Sequence, residues 1–485
     1  MKIFRIIAVA SVFVWSTSSC EKYLDVNDDP NKTEFASLDV VLPAAQASTC
    51  IHVGGELFNL GGFWAQYHTQ SPDAGQYQDI DAYNVSVDFF DRTWQELYAG
   101  ALNDYKYIRE NADGTNNAYY LVATLMEAYT YQVLVDLYGQ VPYSEALQGT
   151  ANLTPAYDEG QAIYKDLLSR IDEAMARYSA DPANGEAPSG NDIIFGGNMS
   201  RWIQFGNTLK LKMLLRVYRV GDIFDQAEVI ALANGGNLLS VNAQMTLFEE
   251  AANKSNPFYD VNYDRLGGVN HAASQTIVSF YQANNDPRLD TLYEPGSGGA
   301  YTTKPQGDFA NRDISFDALA EPIVFELKPI VLFSAAEADF LRAEALERFG
   351  GGGQTAYEEG ITASFAMYGI ADTVADDYYG AGGPYEWIAG GTTEDHIKQI
   401  ATQKWAAMAN SQNLEAFFEI NRLGYPEYKT LANAQPGDLV YSLASVLPPG
   451  QTPQRLLFAD VSKSRNPNVP AQSSGDVAVP IWWAQ

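Results

Sequence analysis

Residues 117–142 read NAYYLVATLMEAYTYQVLVDLYGQVP. Leu121, Leu125, Ala128, Tyr129, Val135 and Tyr138 recur at steps that place them on one face of an α-helix. Gly139 suits the left-handed turn that ends a helix, and Pro142 lacks the N–H needed to continue one. The spacing therefore predicts a long helix over 117–138, stopped sharply.

The flanking segments repeat this pattern. Trp94, Leu97, Tyr98, Ala101, Leu102, Tyr105 and Ile108 share a face over 92–110. Ile163, Leu167, Ile171, Ala174 and Tyr178 do so over 158–178, and Trp202, Phe205, Leu209, Met213 and Val217 over 201–219. Helical patterns return at 335–348 and 355–368, separated by Gly350 to Gly353 as in a helical hairpin, and again at about 394–410 and 413–423. Paired helices with Ala and Tyr at contact positions suggest tetratricopeptide-like units, although the strict 34-residue period of that repeat is absent. The predicted fold is mainly α, a helical-repeat scaffold with long irregular loops and few short strands. Within it, 36–250 forms an N-terminal helical part, 251–330 an irregular region rich in Asn, Asp, Gly, Pro and Tyr, and 331–485 a C-terminal helical part. Residues 374–393 read as a second Gly/Tyr-rich loop, and the tail from 433 is Pro-rich.

The N-terminus carries a different signal. Lys2 and Arg5 precede an apolar run, Ile6 to Trp15, and then Thr17, Ser18, Ser19 and Cys20. That is the layout of a secretory signal peptide over 1–19. The run would rise only about 15 Å as a helix, half a bilayer core, so it is too short to span one. Cys20 after small residues resembles a lipobox, with Thr17 in place of the usual aliphatic residue. Its thiol would take acyl chains such as palmitate, each buried CH₂ contributing ~0.8 kcal/mol to anchoring. The alternatives are ordinary secretion and a Cys20–Cys50 disulfide, Cys50 being the second of the two cysteines. Residues 20–35 read as a polar tether.

Sixty acidic residues against thirty basic ones give a net charge of −30. Such a surface repels polyanions, so nucleic acid is excluded as a partner. Thirty Tyr and eight Trp offer flat apolar faces with polar edges. They suit stacking on sugars or peptide side chains, and equally a helical core. Hydrolase, phosphate-binding and dinucleotide signatures are missing, and the four histidines are scattered. Asp260, Asn262 and Asp264 alternate like the ligands of a calcium loop, but Arg265 stands where Gly belongs and His271 where Glu belongs, so a solvated turn fits better than a structural calcium site.

Six motifs in order resemble the SusD/RagB family of outer-membrane lipoproteins. They are Cys20-Glu21-Lys22-Tyr23-Leu24-Asp25 with Asp29-Pro30-Asn31, then Asp136 through Ala146, then Asp192 to Gly197 followed by Trp202, Phe205, Asn207, Leu209, Lys210 and Arg216. Next come Ala336-Glu337, Leu341, Ala343-Glu344-Ala345 and Ala356-Tyr357. Then follow Gln403-Lys404-Trp405, Glu415-Ala416, Arg422 and Pro426, and finally Asn466, Asn468, Pro480 and Trp482-Trp483. The resemblance implies a fold built on four tetratricopeptide units and a surface lipoprotein of the outer membrane. It implies a chain that captures an oligosaccharide or peptide and, as a hinged lid, delivers it to a SusC-like TonB-dependent transporter. It implies no enzyme and no cofactor. The other readings are a tetratricopeptide scaffold that binds protein only, and a surface hydrolase.

Three aromatic loop clusters are candidates for ligand contact. The first holds Tyr67, His68, Gln70, Gln76, Tyr77 and Tyr83, with Trp64 at core spacing beside it. The second holds Tyr259, Tyr263, Tyr281 and Tyr301. The third holds Tyr378, Tyr379, Tyr385 and Trp387 among glycines. From these, Tyr67, Gln70, Tyr77, Tyr83, Tyr263 and Trp387 are the expected ligand-binding residues, Trp387 with a second possible use at the transporter. Trp482 and Trp483 are expected to pack back on the helices.

Overall fold

The computed structural model describes residues 36–485. Cys20, the signal peptide and the tether lie outside the described residues.

Four helical hairpins form the scaffold. The first joins a run over 91–112 to Asn117–Tyr138, and the second Gly160–Ala180 to Met199–Arg216. The third joins Ala335–Ala345 to Gln354–Met367, and the fourth Thr393–Met408 to Asn413–Leu423. These are the helices that the sequence predicts, to within a few residues. The long helix starts where the Asn116 side chain accepts from the N–H groups of Ala118 and Tyr119, and Gly139 ends it at φ +80°. The 91–112 run is widened by one π turn, Leu97–Leu102.

The hairpins are locked to each other by buried charge as well as apolar packing. Asp136 of the first, Lys212 and Arg216 of the second, Glu337 and Glu344 of the third, and Lys404, Glu415, Glu419 and Arg422 of the fourth form one network. Arg216 reaches Glu419 at 2.9 Å and Asp136 at 3.4 Å, Lys404 reaches Glu419 at 2.6 Å, and Arg422 reaches Glu344 at 2.5 Å. Arg216 also pairs with Glu415. Burial pushes the Glu337 and Asp136 carboxyls up, toward the neutral form. Trp483 closes this end of the core, its indole N–H donating to Asp136 at 2.8 Å. The terminal tryptophans thus pack back on the helices, and Trp64 is buried.

Two further helices, Leu38–Gly54 and Glu56–Trp64, precede the hairpins, and the second lies against Asn413–Leu423. The approach is so close there that a Cβ on Gly61 would overlap the backbone of Asn413 and Leu414. The irregular region is tied down by two-stranded ladders. The one that matters most pairs His68–Gln70 antiparallel with His271–Ala273. Two expectations change. The region over 251–330 contains a true helix, Gln275–Ala283, started by Ser274 and burying Ile277, Val278, Phe280 and Tyr281. The Gly/Tyr-rich stretch begins as a helix, Asp372–Tyr379, before it becomes a loop.

Candidate functional site

The ladder between His68–Gln70 and His271–Ala273 brings together the first and second aromatic clusters, although they are 200 residues apart along the chain. Ser71 N–H continues it to Asn270 O at 3.0 Å. Gln70 then acts as a bracket. Its side-chain carbonyl accepts from Tyr77 N–H at 2.8 Å, and its amide donates to Ser71 O at 3.2 Å. Asn270 Oδ1 accepts from Gln76 N–H at 3.2 Å. Gln76 and Tyr77 are thereby fixed opposite the turn 257–266.

That turn is also preset. Pro257 follows Asn256, whose side chain caps Phe258 and Tyr259 and donates to Lys328 O at 2.8 Å. Residues Asp260–Arg265 then make one π-helical turn. Between these walls and the facing ends of the first two helices lies a cleft of about 560 Å³. Tyr77 and Phe89 give it aromatic surface, and Asn59, Gln76 and Asn262 give it amides. Glu56, Asp260, Arg92 and Arg265 give it two charges of each sign. His52 also lines it, and burial lowers its pKa to about 4, so the imidazole is neutral at pH 7.

The polar groups are held by one another. Tyr77 Oη donates to Asn262 Oδ1 at 2.5 Å, and Asn262 Nδ2 donates to Phe258 O at 2.9 Å. Arg265 pairs with Asp260 at 2.5 Å, and Thr93 Oγ1 donates to Glu56. Beneath them sits an apolar bed of Phe63, Phe258, His68 and His271. The two imidazoles meet edge to face at 4.9 Å, and His271 meets Tyr77 at 5.2 Å. Burial lowers His68 to about 3 and His271 well below its ordinary value, so both are neutral rings. The cleft is thus charge-balanced inside a strongly acidic chain. It offers paired amide and carboxylate oxygens beside aromatic carbon, a lining that suits hydroxyl-rich neutral molecules.

The predicted site residues divide. Tyr77 lines the cleft, yet it is only 5% exposed and mainly core. Tyr263 stands on the same turn, half-buried, its ring parallel to Tyr259 at 5.7 Å and its hydroxyl on Pro322 O. Tyr67, Gln70 and Tyr83 are corrected to interior positions. Tyr67 is fully buried and donates to Trp405 O at 2.6 Å, Tyr83 is 2% exposed, and Gln70 is the bracket just described. None of the three has a face to offer a ligand. Trp387 lies apart from the cleft, half-buried over His396 with ring centroids 4.2 Å apart. Asp260, Asn262 and Asp264 do not form a calcium loop. They stand in a helical turn with Asp260 committed to Arg265 and Asn262 to Tyr77. Among the described residues no group of three or more His, Cys, Asp or Glu could hold a metal ion.

Glu56, Asn59, Arg92 and Arg265 line the cleft in addition to the predicted residues. One signal was available: His52, Glu56 and Asn59 follow at steps of four and three, a polar stripe in an otherwise apolar segment.

Comparison with known proteins gives a family match and a fold match. Residues 30–442 match the family model SusD-like_2, described as starch-binding and associating with the outer membrane. A SusD homologue from Bacteroides uniformis superposes with a TM-score of 0.72 at 21% identity, covering 92% of this chain and 99% of that one. A chitin-binding SusD homologue from Flavobacterium johnsoniae gives 0.75 at 19% identity, with 92% and 98% covered. A SusD/RagB family protein from Bacteroides thetaiotaomicron gives 0.74 at 20% identity, with 93% and 99% covered. Comparison with curated proteins found no match by sequence.

Proposed function

Because the chain belongs to the SusD-like family, described as starch-binding and associating with the outer membrane, we propose that it captures a neutral oligosaccharide in the cleft beside Tyr77 and Asn262. The observation that carries this reading is the lining of that cleft. Aromatic carbon from Phe89, with the rim of the largely buried Tyr77, lies beside fixed amides, and each carboxylate has its own partner. Sugars need such a site, since their C–H faces pack on aromatic rings and their hydroxyls both donate and accept. The balanced charge favours an uncharged ligand over an ionic peptide. The chitin-binding relative and the starch-binding family description support the same class.

Around this site the reading extends to the cell. Cys20 carries acyl chains that hold the protein at the outer membrane, facing outward, and a SusC-like TonB-dependent transporter receives the sugar. The signal peptide pattern and Cys20 support the anchor; the family supports the transporter. No helix among the described residues is long and apolar enough to cross a membrane.

Electrophoresis of the purified protein through gels containing soluble starch or glycol chitin tests the binding. Retardation in at least one polysaccharide gel, relative to a plain gel, is expected. Equal mobility in all three would overturn the proposal.

A further inference from the structure

A second cleft, of about 390 Å³, opens at the C-terminal end of the long helix, where Gly139 meets the C-terminal tail. Most of its wall comes from residues 455–485, beyond the span of the family match. We propose that it is a second saccharide subsite, with Trp482 as the stacking ring and Arg455 as the hydrogen-bond donor. The class of ligand rests on the reading of the first cleft. The site itself rests on the groups found here.

Arg455 is the unusual residue. In a chain with twice as many acidic as basic residues, its guanidinium is bonded to main-chain carbonyls instead of a carboxylate. Nε donates to Leu456 O at 3.3 Å, and Nη2 donates to Tyr138 O, capping an orphan carbonyl at the helix end. Its plane lies over the Phe458 ring at 5.0 Å. Burial lowers its pKa, with Asp476 the nearby charge that opposes the shift. A guanidinium anchored on two sides keeps further N–H groups for an outside acceptor. Trp482 is half-buried and braced edge to face on Tyr164 at 5.2 Å; its unpartnered indole N–H is buried against Gly160, so the ring face is what it can offer a ligand.

The polar rim is already set. Gln472 clasps the Phe458 main chain with both amide atoms, at 2.6 and 2.9 Å. Gln140 donates to Glu159 across a short ladder, and Asp476 holds Ser473 at 2.9 and 2.8 Å. Each of these groups keeps an unused lone pair. Ordering them costs a ligand little, because the tail has ordered them already. The volume falls in the ~300–1,000 Å³ range of small-ligand sites. An indole, a fixed guanidinium and amide and carboxylate acceptors match the mixed donors and acceptors of a pyranose. A chain-like sugar engaged here and in the first cleft would be held more tightly than by either alone.

Indole ¹⁵N resonances of the full chain in detergent test this. Trp482→Phe assigns the Trp482 signal, and chitohexaose and maltoheptaose are the probes. With at least one of them the Trp482 signal should shift saturably. The shift should persist in Gln76→Ala, which alters only the first cleft. It should weaken about tenfold in Arg455→Met or, if that variant loses its cap and unfolds, in the exposed Glu159→Ala. A Trp482 signal unmoved by both sugars would overturn the second site and leave the first untouched. So would a shift indifferent to Arg455 and Glu159.

Discussion

Tyr67, Tyr77 and Tyr83 are each at most 5% exposed, although their loop also carries Gln, Asp and Gly. The loop that holds them folds inward because its polar atoms find partners there. Thr69 Oγ1, Gln70 N–H and Gly307 N–H all donate to the buried Asp81 carboxylate. Tyr77→Ala should therefore cost about 3–5 kcal/mol of stability, as large-to-small core changes do. Tyr77→Phe keeps the packing and removes only the bond to Asn262, so it should cost about 1 kcal/mol. Denaturant titration of both variants checks this, and equal small losses would contradict it. The buried network gives a second case. Glu419 accepts from Arg216, Lys404 and Arg422. Replacing it by Gln strands positive charge in the core and should destabilise the protein by about 3–5 kcal/mol.

Elements show which information a sequence carries. Helices with a regular apolar stripe, such as 117–138 and 413–423, were legible because the period is local. The motifs that carry the family resemblance include Asp136, Arg216, Glu337, Glu344, Lys404, Glu415 and Arg422, and the structure joins them in the network between hairpins. Those motifs therefore report how the scaffold closes; of the cleft they say nothing. The cleft was not legible, since it exists only after strands 200 residues apart have paired. The loop 380–392 gives an element-scale prediction. His396 bonds Glu347 through Nδ1 at 2.7 Å and Ile388 O through Nε2 at 2.9 Å, and it stacks on Trp387. Two acceptors require both ring nitrogens to be protonated, and the Glu347 bond, against the cost of burial, raises the pKa. The folded value lies above the unfolded one. The stabilisation is full below about pH 6.5 and is lost as pH rises through the folded value. Amide exchange in 380–392, corrected for the intrinsic pH effect, should be more protected at pH 6 than at pH 9. In His396→Ala that difference should vanish. Protection independent of pH in the native chain would refute the clasp.

In the whole molecule, the helical scaffold would hold the proposed sugar cleft over the outer membrane, tethered by the proposed Cys20 lipid beside a transporter. Cys20→Ala should move the protein from the salt-washed membrane fraction to the soluble one, and retention without lipid would exclude the anchor. Mild-detergent extraction should recover a large β-barrel protein with the native chain, and repeated recovery of the chain alone would count against transporter delivery. The central claim is capture in the first cleft, and calorimetric titration of the full chain tests it most directly. Maltoheptaose and chitohexaose are titrated into the native protein, Gln76→Ala and Arg92→Ala. Both replaced residues line the cleft and are exposed, so stability should change by no more than about 0.5 kcal/mol. Native protein should bind at least one sugar, and both variants should bind it about tenfold more weakly, a loss of about 1.4 kcal/mol. No binding of either sugar by native protein, or unchanged affinity in both variants, would contradict the account.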